Sequence, residues 1–376
     1  MPRMLVERRR GHYNCSWSQG VLRFRRGYVM GALLETLNFC LIGTGRAGVV
    51  HAANIARRIP SARLVALCDA NPESLRAAAD QFGVSTLYAD YREAVAESGV
   101  DAVVIVTPTF LHCEIACAAA AHGKHIFLEK PMAVTVEECR EINAAVARAG
   151  VRLQIGFMRR FDPGFLRAKE ILDSGQMGRA MKIKSTGRGP GLPSAWMYDL
   201  KKSNGIVAEV NSHDLDSLRW FTGGEATRVY AEAANFKCPD AREKFPDFYD
   251  NILATFRFTD GTIGEVDGTC PCHYGYDARV EILCTNGVLF VGSVAQQTTV
   301  QVTADGHVMG RTVKSWRDLF KDAYLAEMEH FVECVRQGKE PRVTGADGLR
   351  AVAMVVAVNQ SVRDGRPVEI PGKADG

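Results

Sequence analysis

No stretch of this 376-residue sequence approaches the 18 or so consecutive apolar residues that a membrane-spanning helix needs. No cysteine pair has C-x-x-C spacing, although there are 11 cysteines. Scattered thiols in odd number exclude a zinc finger or a disulfide framework and predict a reducing, cytoplasmic setting. No internal repeat or low-complexity linker is present, which excludes a solenoid. Charge of one sign is also scarce. The net charge is +3, and residues 1–35, with seven Arg and two Glu, carry +5 of it, so the remainder is near −2. Neither a nucleic-acid surface nor a membrane partner is therefore expected on the body of the protein.

The basic start includes Arg8-Arg9-Arg10. An export signal requires an apolar segment followed by a small-residue cleavage site. Residues 28–37 are instead short, carry Glu35 and run straight into a strand pattern. Residues 1–35 are expected to be a disordered extension, or a start upstream of Met30.

What is present is a glycine-rich turn in an informative context. Residues 37–48 read L-N-F-C-L-I-G-T-G-R-A-G, a strand entering a turn that opens a helix over 46–58. Gly43 permits the tight turn, Gly45 lets the backbone approach a pyrophosphate, and Gly48 lets helix and strand pack closely. Arg46 and Ala47 complete the turn at a helix N-terminus, whose free N–H groups and dipole favour phosphate. The next apolar run, 63–68, ends at Asp69, 21 residues beyond Gly48, where a ribose diol needs an acid. A carboxylate there accepts from the 2′-hydroxyl and repels a 2′-phosphate, so NAD rather than NADP is expected.

From 37 to 157 strands and helices alternate. Further apolar runs lie at 102–107, 125–128 and 151–157, with a weaker one at 86–88, and helical periodicity fills 72–82, 111–121 and 135–149. Such alternation predicts a doubly wound parallel sheet, with ligands beyond the carboxyl ends of its strands. Thr107-Pro108 and Glu129-Lys130-Pro131 stand at two of those ends. Beyond about 160 the pattern changes to helices near 163–173 and 205–221 and strands at 179–186, 226–235, 250–258, 262–268, 278–284, 287–291 and 298–303. Asp260-Gly261 and Asn286-Gly287 read as hairpin turns, and helices over 321–337 and 345–363 close the chain. The boundaries expected are 36–157 for the first domain and 158–376 for the second. In strand 278–284, Ala278, Val280, Ile282 and Cys284 alternate with Arg279, Glu281 and Leu283. An apolar face left open by such a sheet predicts a homodimer or homotetramer built on it.

The turn G-T-G-R-A-G, with T-P-T-F-L-H at 107–112, E-K-P at 129–131 and N-G-I-V-A-E-V-N-S-H-D-L-D at 204–216, resembles the Gfo/Idh/MocA oxidoreductases over roughly 37–370. Within that family, G-F-M-R-R-F-D at 156–162 and Y-G-Y-D-A-R-V-E at 274–281 look most like the inositol 2-dehydrogenases. The resemblance implies an α/β protein: an N-terminal Rossmann domain, a C-terminal α+β domain with an open, mostly antiparallel sheet, and a substrate pocket between them. It implies NAD-dependent oxidation of a secondary alcohol on a cyclic polyol or sugar. Beside the glycine turn and Asp69, it places Thr107, Pro108, His112, Glu129 and Lys130 near the cofactor. Arg160, Asp199, Asn211, Tyr274 and Tyr276 become candidate substrate partners, with Met158 and Trp196 as apolar walls. A pyranose or anhydro-sugar dehydrogenase, and a dinucleotide-binding regulator without turnover, are the alternatives.

Oxidising an alcohol needs a hydride acceptor, which the cofactor supplies, and a base. His213 suits the base because its unperturbed pKa lies near neutrality. Glu209, four residues earlier on the helix predicted there, is expected to share its face and hold the imidazole. The family usually has Asp at this position, and S-N-G at 203–205 replaces a commoner S-G-G; both differences bear on the substrate. Lys130 is expected to polarise the substrate oxygen. Activity is expected to rise with pH through the histidine's pKa. The groups His112/Cys113/Cys117 and Cys270/Cys272/His273 lack zinc-finger spacing, so no metal is expected.

Overall fold

The computed structural model describes residues 36–295, 301–305 and 308–372. The expectations for residues 1–35 and for part of 298–303 lie outside them. Six strands, β1 (Leu37–Ile42), β2 (Ala62–Cys68), β3 (Thr86–Tyr88), β4 (Ala102–Ile105), β5 (His125–Glu129) and β6 (Leu153–Gly156), form an all-parallel sheet in the order β3-β2-β1-β4-β5-β6. Every residue of β4 is fully buried, because helices cover both faces and leave no polar side to alternate. The order reverses between β1 and β4, which opens a crevice at their carboxyl ends.

Helices α1 (Gly48–Arg57), α2 (Pro72–Phe82), α3 (Tyr91–Ala96), α4 (His112–Ala121) and α5 (Val136–Ala149) make the crossovers. Their ends follow local chemistry. The Asn71 side chain accepts from the Glu73 and Ser74 amides at the start of α2, and Thr135 with Glu138 forms a capping box on α5. The short α3 escaped the periodicity reading; its six residues are too few to show a period.

The second sheet begins after α6 (Pro163–Asp173). It contains β7 (Ala180–Arg188), β8 (Ala226–Ala234), β9 (Asn251–Phe258), β10 (Ile263–Thr269), β11 (Asp277–Cys284) and β12 (Gly287–Val291). A separate pair is formed by β13 (Gln301–Val302) and β14 (Val308–Met309), and β15 (Val368–Glu369) returns to the main sheet, whose order is β12-β11-β7-β10-β9-β8-β15. It is antiparallel except where β7 runs parallel to β10. Asp260-Gly261 joins β9 to β10, and Asn286-Gly287 joins β11 to β12, as their turn chemistry predicts.

Two sequence expectations need correction here. The helix expected at 205–221 is two helices, α8 (Gly205–Glu209) and α9 (Ser212–Thr222), preceded by the single turn α7 (Leu200–Ser203). Between them the Asn211 side chain donates to the Gly187 carbonyl and to Asp214, which competes with continuation of the helix. The apolar face of β11 is not open either. Ala278, Val280, Ile282 and Cys284 are buried in one core with Leu215 and Leu218 of α9, so the hydrophobic face is satisfied within the chain. The opposite face presents the ion pairs Lys184–Glu265 and Arg188–Asp267, with Leu253 and Phe290 50% and 73% exposed.

The short helices α10 (Pro239–Lys244) and α11 (Trp316–Leu319) precede two long ones, α12 (Lys321–Gln337) and α13 (Gly345–Asp364), which tie the sheets together. Phe331 of α12 lies edge-on to Phe39 of β1 and Phe127 of β5, with centroids 6.2 and 5.8 Å apart. α13 packs on both α5 and β8. No helix among the described residues is long and apolar enough to cross a membrane.

Candidate active site

The glycine turn does what its pattern requires. Gly43 has φ +102°, and a Cβ there would fall 2.5 Å from the Val106 carbonyl oxygen. At Gly48 a Cβ would lie 2.0 Å from the Gly43 oxygen, whereas Gly45 faces open space within 4 Å. Gly45 and Arg46 are exposed and Ala47 half-buried. α1 starts with no side-chain cap and no acid in its first turn, so its leading N–H groups are free for a pyrophosphate. Asp69 caps the crevice end of β2. Its Oδ2 accepts from the Thr44 amide at 2.7 Å and the Thr44 hydroxyl at 2.8 Å, and its Oδ1 from the Asn71 amide at 2.8 Å. The acid therefore braces the turn, and it stays half-exposed at the strand end. Open space at Gly45, an uncapped helix and a carboxylate at the second strand end fit NAD.

Beyond β4 and β5 two loops are knitted together. His112 is buried, with Nδ1 2.8 Å from the Pro131 carbonyl oxygen and Nε2 2.9 Å from that of Thr107. Glu129 is also buried: Oε1 lies 2.8 Å from His51 Nε2, and Oε2 accepts from the Lys130 amide at 3.1 Å. The polar atoms of both residues are engaged by the protein, and they shape the loop that carries Thr107, Pro108 and the cis Lys130–Pro131 bond.

Lys130, half-buried, reaches across the crevice and donates from Nζ to the Glu209 carbonyl oxygen at 2.7 Å. Glu209, the last residue of α8, accepts from the Thr109 hydroxyl at 2.6 Å. Burial pushes its carboxyl up to about 7, against the opposing pull of Lys130. His213, on the first turn of α9, is 5% exposed and edge-on to Phe157. Burial, then the charges of Lys130 and Arg159, holds its pKa well below the usual histidine value, so the ring is neutral at working pH. Its buried Nδ1 has no partner. The structure thus brings Lys130, Glu209 and His213 to one place but corrects their relation. Glu209 does not hold the imidazole, because the break at Asn211 turns it toward Thr109.

Several residues expected to meet substrate are engaged in the fold instead. Arg160 forms a buried pair with Asp216, at 2.8 and 2.5 Å, and reaches Asp347 at 3.1 Å. Asn211 is fully buried against Gly187 and Asp214, and Met158 and Tyr276 belong to the core. Tyr274 donates to Asp277 at 2.6 Å, beside Arg188. Protein partners take the Arg160 guanidinium, the Asn211 amide N–H groups and the Tyr274 hydroxyl, while the buried Asn211 Oδ1 has none. Asp199 caps α7 through the Lys201 amide and is half-buried. Trp196 meets Phe110 edge-on at 6.1 Å, from the opposite side of the crevice. Sequence reasoning missed Thr44, His51, Thr109 and Arg159. Arg159, buried and paired with Asp214 at 2.6 Å, is the cation behind His213. Thr109 lay inside a motif already singled out, and its hydroxyl was the available signal.

A sheet that cradles a dinucleotide, joined to a second domain that lends an acid and a histidine to the same crevice, is the build of a two-domain nicotinamide-dependent oxidoreductase. Family models say the same: one described as oxidoreductase family, NAD-binding Rossmann fold, matches residues 37–157, and one described as oxidoreductase family, C-terminal alpha/beta domain, matches 169–370. The chain belongs to the Gfo/Idh/MocA oxidoreductase family. It is 34% identical over 333 residues to a scyllo-inositol 2-dehydrogenase (NAD(+)) of Bacillus subtilis, covering 89% of this chain and 96% of that one. It is 31% identical over 330 residues to a myo-inositol 2-dehydrogenase of Thermotoga maritima, covering 88% and 97%. The crystal structure of scyllo-inositol dehydrogenase from Lactobacillus casei with NAD(H) and scyllo-inositol superposes with a TM-score of 0.81 at 27% identity, covering 89% of this chain and 99% of that one.

Proposed function

We propose that this NAD-dependent oxidoreductase oxidises a ring hydroxyl of a cyclic polyol, an inositol in the first instance, at the 2-position. The observation that carries the reading is the convergence of Lys130, Glu209 and His213 on the crevice beside the dinucleotide turn. Similarity to inositol dehydrogenases over nearly nine-tenths of the chain supports the substrate class.

NAD, when bound, supplies the hydride acceptor. The Gly43–Gly48 turn and Asp69 hold it. Lys130, anchored to the Glu209 carbonyl, presents its ammonium to the substrate oxygen and lowers the cost of the developing alkoxide. His213, kept neutral, takes the hydroxyl proton. Above pH 7 the ionised Glu209 offsets the positive charge that Lys130 and a protonated His213 place in the same crevice. We also assign self-association to the outer face of the second sheet, through Leu253 and Phe290. The ten free cysteines of the described residues fit a cytoplasmic setting.

NADH formation followed across a panel of inositols, pyranoses and anhydro-sugars tests the reading. Inositols should give the highest kcat/KM. Turnover confined to pyranoses would replace the substrate class, and NADH binding without turnover of any member would make the protein a sensor.

A further inference from the structure

Of the ten cysteines among the described residues, eight are buried and two, Cys113 and Cys117, are half-exposed. Those two stand one turn apart on α4 and face α5. There Glu141 brings a carboxylate whose Oε2 lies 3.7 Å from the Cys113 sulfur. The two sulfurs and the Glu141 oxygen all lie within 4.8 Å of one another. A tetrahedral ion bound by sulfur at about 2.3 Å and oxygen at about 2.1 Å sets its donors roughly 3.5–4 Å apart, so closing this triangle asks little of the side chains. Zinc-finger spacing is absent from His112, Cys113 and Cys117, and the third donor of this group comes from the next helix. The Cys113 thiol also lies 3.7 Å from the Glu138 carbonyl oxygen, a weak bond that metal binding would replace; Cys270 and Cys272 differ in being buried, with their thiols on the carbonyls of Gly191 and Gly275.

We propose that Cys113, Cys117 and Glu141 form a binding site for a thiophilic divalent cation of the zinc class, on the seam between α4 and α5 and apart from the catalytic crevice. Two thiolates and a carboxylate favour zinc or cadmium over magnesium or calcium. Three protein ligands leave the fourth position to water. Each metal–sulfur bond replaces a sulfur–hydrogen bond. Binding one dication therefore releases two protons to solvent, and the site keeps the single negative charge that Glu141 already carries. His112, the residue before Cys113, clamps the Thr107 and Pro131 carbonyls, so a bound ion would stiffen the helix that carries the crevice loops.

The test is cadmium titration of the reduced, full-length protein without cofactor, read by the ultraviolet thiolate-to-cadmium charge-transfer band and by proton release. One equivalent should bind with two protons released, and zinc should displace it. The band should vanish in Cys113→Ser and in Cys117→Ser. Glu141→Gln, at an exposed position that poses no folding risk, should weaken binding by at least the roughly 10–100-fold that loss of a supporting partner costs. Absence of the band at millimolar cadmium, its survival in the double serine variant, or unchanged affinity in Glu141→Gln would each overturn the site.

Discussion

A carboxyl group that titrates at about 7 is half ionised at neutral pH, and Glu209 is such a group beside Lys130. His213 is already neutral throughout that range, so a rise of oxidation with pH is expected from the carboxyl rather than from the imidazole. The turnover rate should climb between about pH 6 and 8 and flatten in Glu209→Gln; a profile identical in the two proteins would remove Glu209 from the chemistry. Stability should move the other way. In the unfolded chain a glutamate ionises near 4.5, and in the folded protein near 7. The folded state thus holds this proton more tightly, and the contribution is lost as pH rises from about 4.5 through 7. Thermal melting should show Glu209→Gln gaining over wild type at pH 8 and gaining nothing at pH 4. His213→Ala should lower kcat by about 10²–10⁴ with NADH binding intact by fluorescence titration. Asp69→Ser should shift the ratio of kcat/KM values toward NADP, and it should weaken both dinucleotides because Thr44 loses its brace.

At the scale of elements, buried ion pairs fix the crevice from behind. Arg160 belongs to the 3₁₀ turn Met158–Phe161, and its partners Asp216 and Asp347 belong to α9 and α13. Asp347 also closes the capping box of α13 with Thr344. Breaking a buried pair by removing one partner costs about 3–5 kcal/mol, since the other charge is left in the interior. Arg160→Met should lower urea-unfolding stability by that order, with the KM for any surviving activity little changed. A stable variant with a raised KM would instead return Arg160 to the substrate. A second buried network explains why α8 and α9 are separate. Asn211 and Asp214 are bonded to each other and to β7, and a continuous helix would withdraw them from it.

At the scale of the whole molecule, the last two long helices decide the arrangement. α12 packs on the first sheet and α13 on both α5 and β8, so the crevice is held by chain that follows every strand of both sheets except the short β15. The outer face of the second sheet, where Leu253 and Phe290 sit among ion pairs, is where a second copy should attach. Light scattering at micromolar concentration should give a multiple of the 41.2 kDa chain, and Phe290→Glu should reduce it. A monomeric mass for the unaltered protein would rule the surface out.

The sequence by itself determined the features whose causes are local. A strand entering a tight turn before a helix needs glycine at 43 and 48 whatever surrounds it, and Asp69 ends its strand at a set distance. The alternating apolar runs dictate a parallel sheet with both faces covered, and the hairpin turns place their own strands. Tertiary structure decided the partner of each polar side chain. Arg160, Asn211 and Tyr274 have the donors a polyol requires, but donors look the same in sequence whether their acceptor is a ligand or an aspartate, which stands 56 residues from Arg160 and three from Asn211 and Tyr274. Glu209 and His213 stand at helical spacing, yet Asn211 bonds a carbonyl 24 residues upstream, and that contact breaks the helix and sends the two side chains to different neighbours. Periodicity describes one segment at a time, whereas a buried polar group is stabilised by whichever segment packs against it.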